Sequence, residues 1–136
     1  MKIVLDTNVF VSGIFFGGAP EAILRAWQAD KISLVVSVEI LQEYERVCSE
    51  LNAEFPDVDP SPFLELMALT ADVVDCPPLL EPVCADSDDD KFLACALAAG
   101  SCRVVSGDKL LLATSGYHGI EVIRPRQFVE LFLKPR

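Results

Sequence analysis

The stretch "KIVLD", residues 2–6, decides the fold class. Its apolar part does not alternate: Ile3, Val4 and Leu5 follow one another directly. A strand with one wet face alternates apolar and polar residues, whereas a strand covered on both faces reads as a continuous apolar run. Residues 2–5 are therefore read as a central parallel strand, and Asp6 stands at its carboxyl end.

Outward from that strand, short apolar runs alternate with longer segments of helical period. "PEAILRAWQA" from Pro20 repeats Ile23, Leu24 and Trp27 at helical spacing, and proline is tolerated in a first helical turn. "ISLVVS" (32–37) is a second strand. "SVEILQEYERVCSEL" follows as a helix with Ile40, Leu41, Tyr44, Val47, Cys48 and Leu51 on one stripe and Ser37 as N-cap. Residues 60–71 give a shorter helix, "DVVDC" a short edge strand, and "PPLLEP" an irregular connection stiffened by three prolines. Residues 84–100 read as a helix, "RVVS" (103–106) as a strand, "GDKLLLA" as a short helix, "IEVI" (120–123) as the last strand and "RQFVELFLK" as a closing helix. Strand and helix alternate at βαβ intervals, which predicts a parallel sheet with helices on both faces and function at the carboxyl ends of its strands. At 136 residues, with no repeat or linker, residues 1–136 are expected to form a single domain with one core.

Composition narrows the function classes. The formal net charge is −10, the wrong sign for holding nucleic acid through a basic surface, so a phosphate substrate would need a mediating cation. One histidine, His118, disfavours His-rich zinc sites and leaves little room for Ser-His or Cys-His catalysis. Five cysteines, Cys48, Cys76, Cys84, Cys95 and Cys102, form no C-x-x-C pair and read as reduced and mostly buried. Asp6 interrupts any signal-peptide apolar region, and no apolar run approaches the ~18–20 residues of a membrane span, so a soluble, cytoplasmic protein is expected, with no membrane partner.

The charge is concentrated in "CADSDDDKFLACALAAG" (84–100), where Asp86, Asp88, Asp89 and Asp90 precede an almost wholly apolar segment. On a wheel of about 100° per residue, Phe92, Leu93 and Leu97 define the buried face and Lys91 lies nearly opposite. Asp89 precedes Phe92 by three and Leu93 by four, which aims it inward, where a lone carboxylate is costly unless paired or binding metal. Asp88 and Asp90 read as first-turn carboxylates favoured by the helix dipole, with Ser87 and Asp90 resembling a capping box. Asp86 is a supporting candidate. Asp108 follows the "RVVS" strand as Asp6 follows the first, and Glu43 sits at the edge of its helix's apolar stripe. Asp6 and Asp108 also read as ordinary turn or N-cap residues. Four carboxylates from four elements, Asp6, Glu43, Asp89 and Asp108, would repel one another unless a cation compensates. Oxygen-only ligands suit Mg²⁺ or Mn²⁺, whose usual use is phosphoryl chemistry. Arg124 and Arg126 read as ordinary surface basic residues or as candidate contacts to a phosphate backbone, since residues 121–136 carry Arg124, Arg126, Lys134 and Arg136 against Glu121 and Glu130.

In order, "IVLDTNVFVSG", "SVEILQEYERV", "DSDDDKFLACALAAG" and "VVSGDKLLL" resemble the motifs of PIN-domain ribonucleases, in particular the toxin components of bacterial toxin–antitoxin pairs of the VapC type. The resemblance spans essentially the whole chain. It implies a doubly wound α/β/α sandwich with a mostly parallel sheet, and a Mg²⁺- or Mn²⁺-dependent endoribonuclease acting on RNA. By position it makes Asp6, Glu43, Asp89 and Asp108 the catalytic and metal-binding acids, with Asn8 and Ser106 as neighbouring polar residues. A homodimer and a cognate antitoxin protein are implied partners, and the "GIFFGGAP" loop with Phe15 and Phe16 is a candidate interface as well as candidate core.

Two other readings compete. A non-catalytic PIN-fold binding module acting through a protein partner suits the acidic charge but leaves four acids in order without a use. A phosphoacceptor receiver domain wants adjacent acids after its first strand, where this chain has Asp6 followed by Thr7.

Overall fold

Strand β1 (Lys2–Leu5) buries Ile3, Val4 and Leu5 completely, as the unbroken apolar run requires of a strand covered on both faces. The computed structural model describes residues 1–101 and 103–134. With β2 (Ser33–Val36), β3 (Asp72–Val73), β4 (Arg103–Val105) and β5 (Glu121–Ile123), β1 forms a five-stranded sheet in the order β3-β2-β1-β4-β5, parallel throughout. The chain steps outward from β1 to β3, then returns past β1 to β4. With right-handed crossovers, that reversal puts the helices before β3 and the helix after it on opposite faces. The fold is the expected α/β sandwich.

Helices α1 (Thr7–Phe15) and α2 (Gly18–Gln28) join β1 to β2; α3 (Val38–Glu54) and α4 (Ser61–Thr70) join β2 to β3. Helix α5 (Asp90–Ala99) lies against β1, β2 and β4, while α1 packs on α2 and α3. Two short helices, α6 (Lys109–Leu112) and α7 (Pro125–Phe128), follow β4 and β5. The Ser37 hydroxyl caps α3 by accepting from Ile40 N–H at 3.1 Å, and Ile40, Tyr44 and Cys48 are its buried residues.

Several elements differ from the sequence reading, each for a physical reason. Helix α1 occupies residues read as turn and glycine-rich loop: its Val9, Val11, Ile14 and Gly13 are weak helix formers, and burial of Val9 and Phe10 overrides that preference. A turn through Gly17 and Gly18, both at positive φ, sets α2 at 91° to α1. Phe15 is part-buried against the core, whereas Phe16 is 60% exposed and meets Phe55 edge to face.

The expected helix over 84–100 starts instead with a 3₁₀ turn, Ser87–Asp89, and becomes α-helical at Asp90. No Ser87 capping box forms; Asp86 caps the turn by accepting from Asp88 N–H at 3.0 Å. Lys91, expected on the polar back, is buried, and Leu97, expected in the core, is 44% exposed. The wheel assumes one wet face, but residues 91–96 are all buried, so this part of α5 has no polar back. The closing helix is split into α7 and a wider π-helical turn, Val129–Leu133.

Cys48, Cys76, Cys84 and Cys95 are free thiols; Cys102 and Arg136 lie outside the described residues. Among the described residues no single helix is long and apolar enough to cross a membrane.

Candidate functional site

Register builds the centre of the site. Leu5 stands opposite Val105 in the β1–β4 pairing, so the next residues, Asp6 and Ser106, leave the sheet side by side. Asp6 N–H donates to Val105 O and Ser106 N–H to Ile123 O, both at 3.0 Å. This is the point where the strand order reverses, where open parallel sheets form their crevice. The Ser106 hydroxyl, completely buried, donates to Asp6 Oδ2 at 2.7 Å and accepts from Asp108 N–H at 3.0 Å. One serine thus ties two of the expected acids together. Asp6 is 5% exposed; burial raises its pKa, the hydrogen bonds from Ser106 and from the Asn8 N–H oppose that, and the charges of Asp108 and Glu43 add to it. Asn8 contributes its backbone here and is itself exposed.

Glu43 comes from α3, held over β1 by its neighbour. The buried Tyr44 hydroxyl donates to Leu5 O, and its ring stacks on Phe10 at 4.3 Å. Glu43 then receives the Thr7 hydroxyl on Oε2 and faces Lys91 Nζ at 3.1 Å on Oε1, with Arg46 more distant at 3.9 Å.

The acid-rich segment separates into distinct roles. Asp90 is structural: its carboxylate accepts from Cys84 N–H at 2.7 Å and Val83 N–H at 3.3 Å, folding the preceding strap onto α5. Asp88 pairs with Lys91 at 3.1 Å, and Asp86 caps the 3₁₀ turn while its charge reaches Asp89. Asp89 differs from all three, because its Oδ2 is buried with no hydrogen-bond partner among the described residues. Burial first, then the charges of Asp6, Asp108 and Asp86, push its pKa up to about 6, with Lys91 pulling the other way.

Asp108 caps α6 by accepting from Leu110 N–H at 2.8 Å. It still belongs electrostatically to the cluster, since its charge raises both Asp6 and Asp89. Asp6, Asp89 and Asp108 therefore form a mutually repelling trio at the carboxyl ends of β1 and β4, with Glu43 beside Asp6. Among the described residues no three His, Cys, Asp or Glu side chains close tightly enough to grip one ion. Asp6, Asp89 and Asp108 stand within electrostatic reach of one another. In kind they fit a hard divalent cation: the donors are all oxygen, and a buried carboxylate oxygen is left without a partner.

A groove of about 860 Å³ lies beside the cluster, lined by Ser37, Val73, Leu79, Ser87, Asp88 and Lys91 among others. None of Asp6, Glu43, Asp89 or Asp108 lines it, so this groove and the acid cluster are neighbours and not one site. Sequence reasoning missed two of the Glu43 partners, Thr7 and Lys91. Thr7 was read as a turn residue because α1 was not foreseen, and Lys91 was placed on the wrong side by the wheel. Lysine three residues after an aspartate was the one available signal.

Residues 2–110 match the PIN domain family, a span that contains all four acids. An uncharacterized protein of Methanocaldococcus jannaschii is 28% identical over 146 aligned residues, covering 98% of this chain and 93% of its own. With the match over most of its length, this chain belongs to the PIN domain family.

Proposed function

We propose that this chain is a divalent-metal-dependent endoribonuclease and the toxin component of a VapC-like toxin–antitoxin pair, working in the cytoplasm. PIN domains are typically nucleases and generally use divalent metals. The observation that carries the reading here is the buried, partnerless Asp89 Oδ2 within reach of the Asp6 and Asp108 charges. A buried carboxylate oxygen without a partner is costly in a purely structural role, and a bound cation would satisfy it.

Asp6, Asp89, Asp108 and Glu43 would hold Mg²⁺ or Mn²⁺, which when bound supplies charge neutralisation and activation of water for phosphodiester hydrolysis. Ser106 keeps Asp6 oriented and favours its ionised form. Thr7 and Lys91 fix Glu43 from two sides, and Tyr44 holds α3 against β1 so that Glu43 stays over the sheet's end. Arg124 directly follows Ile123, whose carbonyl accepts Ser106 N–H, so it leaves the sheet at this same end and would be a candidate contact for substrate phosphate.

Cleavage of an end-labelled RNA pool by wild type and Asp89→Asn, with Mn²⁺, with Mg²⁺ and with EDTA, tests the enzyme. Cutting by wild type alone, and only with metal, is expected. The toxin role requires that induced wild type arrests growth, that Asp89→Asn does not, and that a cognate antitoxin protein relieves the arrest. The net charge of −10 favours one second reading, a non-catalytic module acting through a protein partner. Absence of cutting under every condition would move the assignment there.

A further inference from the structure

Lys91 is the part of the site that the acid pattern does not contain. Its side chain is 6% exposed, and lysine is almost never buried unless paired. Its ammonium has three partners for its three protons: Glu43 Oε1 at 3.1 Å, Asp88 Oδ2 at 3.1 Å and the Asp88 carbonyl at 2.7 Å. Two of these lie in the turn that carries Asp89, so the ammonium is fixed by that turn. The third crosses to α3. Among the described residues, Lys91 is also the one cationic side chain in the wall of the groove.

Glu43 depends on this contact. Its side chain is 17% exposed, and a part-buried carboxylate needs partners for both oxygens. Thr7 takes Oε2 and Lys91 takes Oε1; Arg46, at 3.9 Å and 61% exposed, is a weak and screened substitute. Without Lys91, Glu43 would stand beside Asp6 as an under-compensated like charge, free to swing to water.

We propose that Lys91 is a positioning residue that locks Glu43 of α3 to the turn bearing Asp89, so that acids from two separate elements are delivered to one cation site. The proposal rests on the metal-dependent reading above. It acts through Glu43 and makes no claim of contact with substrate.

The sign of the effect separates this role from simple electrostatics. Removing a cation beside four carboxylates should tighten divalent binding if Lys91 is only an opposing charge. If Lys91 positions Glu43, removing it weakens binding. Free Mn²⁺ measured by electron paramagnetic resonance gives affinities without reference to RNA. Wild type, Lys91→Met, Lys91→Arg, Asp88→Asn, Glu43→Gln and the Lys91→Met/Glu43→Gln double variant are compared, with circular dichroism reporting the fold. Lys91→Met is expected to weaken Mn²⁺ binding by about tenfold, the usual scale for a residue that orients a ligand. Lys91→Arg, keeping the charge, should recover most of that loss, and Asp88→Asn should lose little. The double variant should bind no worse than Glu43→Gln alone, because both changes remove one function.

Should Lys91→Met fail to fold, Lys91→Gln, which keeps donors but not charge, carries the same comparison. Wild-type or tighter binding in the Met or Gln variant, or losses that multiply in the double variant, would overturn the proposal. If wild type binds Mn²⁺ with this coupling but cuts no RNA, the nuclease reading falls while the role of Lys91 stands. If wild type binds no Mn²⁺, both fall.

Discussion

Asp89 carries a cost that can be read in solution. In the folded chain, burial and the neighbouring charges of Asp6 and Asp108 lift its pKa from the ordinary 3.8 to about 6. Between those values the folded state binds more protons than the unfolded state, so stability falls as pH rises through that window, and the full cost is present above it. In protein stripped of divalent ions, Asp89→Asn should therefore be more stable than wild type at pH 7, by about 1 kcal/mol after discounting for partial exposure, and the advantage should vanish near pH 4. Urea unfolding at the two pH values measures it; equal or lower stability of the variant at pH 7 would mean that Asp89 has a compensating partner. Added Mn²⁺ should reverse the order by stabilising wild type alone, since an ion that binds only the folded state raises its stability. The inward direction expected of Asp89 from its spacing to Phe92 and Leu93 agrees with its buried Oδ2, although the residue sits in the 3₁₀ turn ahead of α5 and not on that helix's wheel. Lys91 was not, because a wheel locates the polar back of a helix only where the helix has one.

Helix α1 shows where local reasoning stops at the scale of an element. Its residues prefer other states, yet it packs on α2 and α3 and supplies the Thr7 hydroxyl to Glu43. The close approach depends on Gly13: a Cβ there would sit 2.6 Å from Leu24 Cδ1 and 2.8 Å from the Pro20 carbonyl oxygen. The leucine tip can shift but the carbonyl cannot without moving the start of α2. Gly13→Ala should therefore destabilise the fold by about 1–3 kcal/mol despite alanine's better helix propensity. Thermal unfolding checks the sign, and a stabilised variant would show that α1 and α2 can separate freely. The strands, α3 and its Ser37 cap were readable because burial periodicity and cap chemistry are local. The α1–α2 contact was not, because it is a property of two segments meeting.

The whole molecule sets a puzzle of sign. A net charge of −10 would repel the proposed RNA substrate over the range of the Debye length, about 30 Å at 0.01 M salt and about 10 Å at 0.1 M. The parallel order β3-β2-β1-β4-β5 nevertheless brings Asp6, Asp89 and Asp108 together from β1, the turn before α5 and the segment after β4, and places Arg124 at the same end. Alternation of strands and helices made that end of the sheet predictable; the mutual distances of the acids required the register itself. If the repulsion of the whole chain outweighs local basic contacts, monovalent salt should help substrate capture. At fixed saturating Mn²⁺, the KM for a short RNA is then expected to fall as KCl rises from about 10 to about 100 mM, with kcat little changed, because screening removes long-range repulsion but acts less on the short-range contacts of the partly buried acids. A conventional basic nuclease shows the opposite, a KM that climbs steeply with salt as counterions compete for its phosphate contacts. Steady-state cleavage across that salt range decides between them. A steep climb would mean that Arg124 and its basic neighbours dominate substrate capture in spite of the total charge.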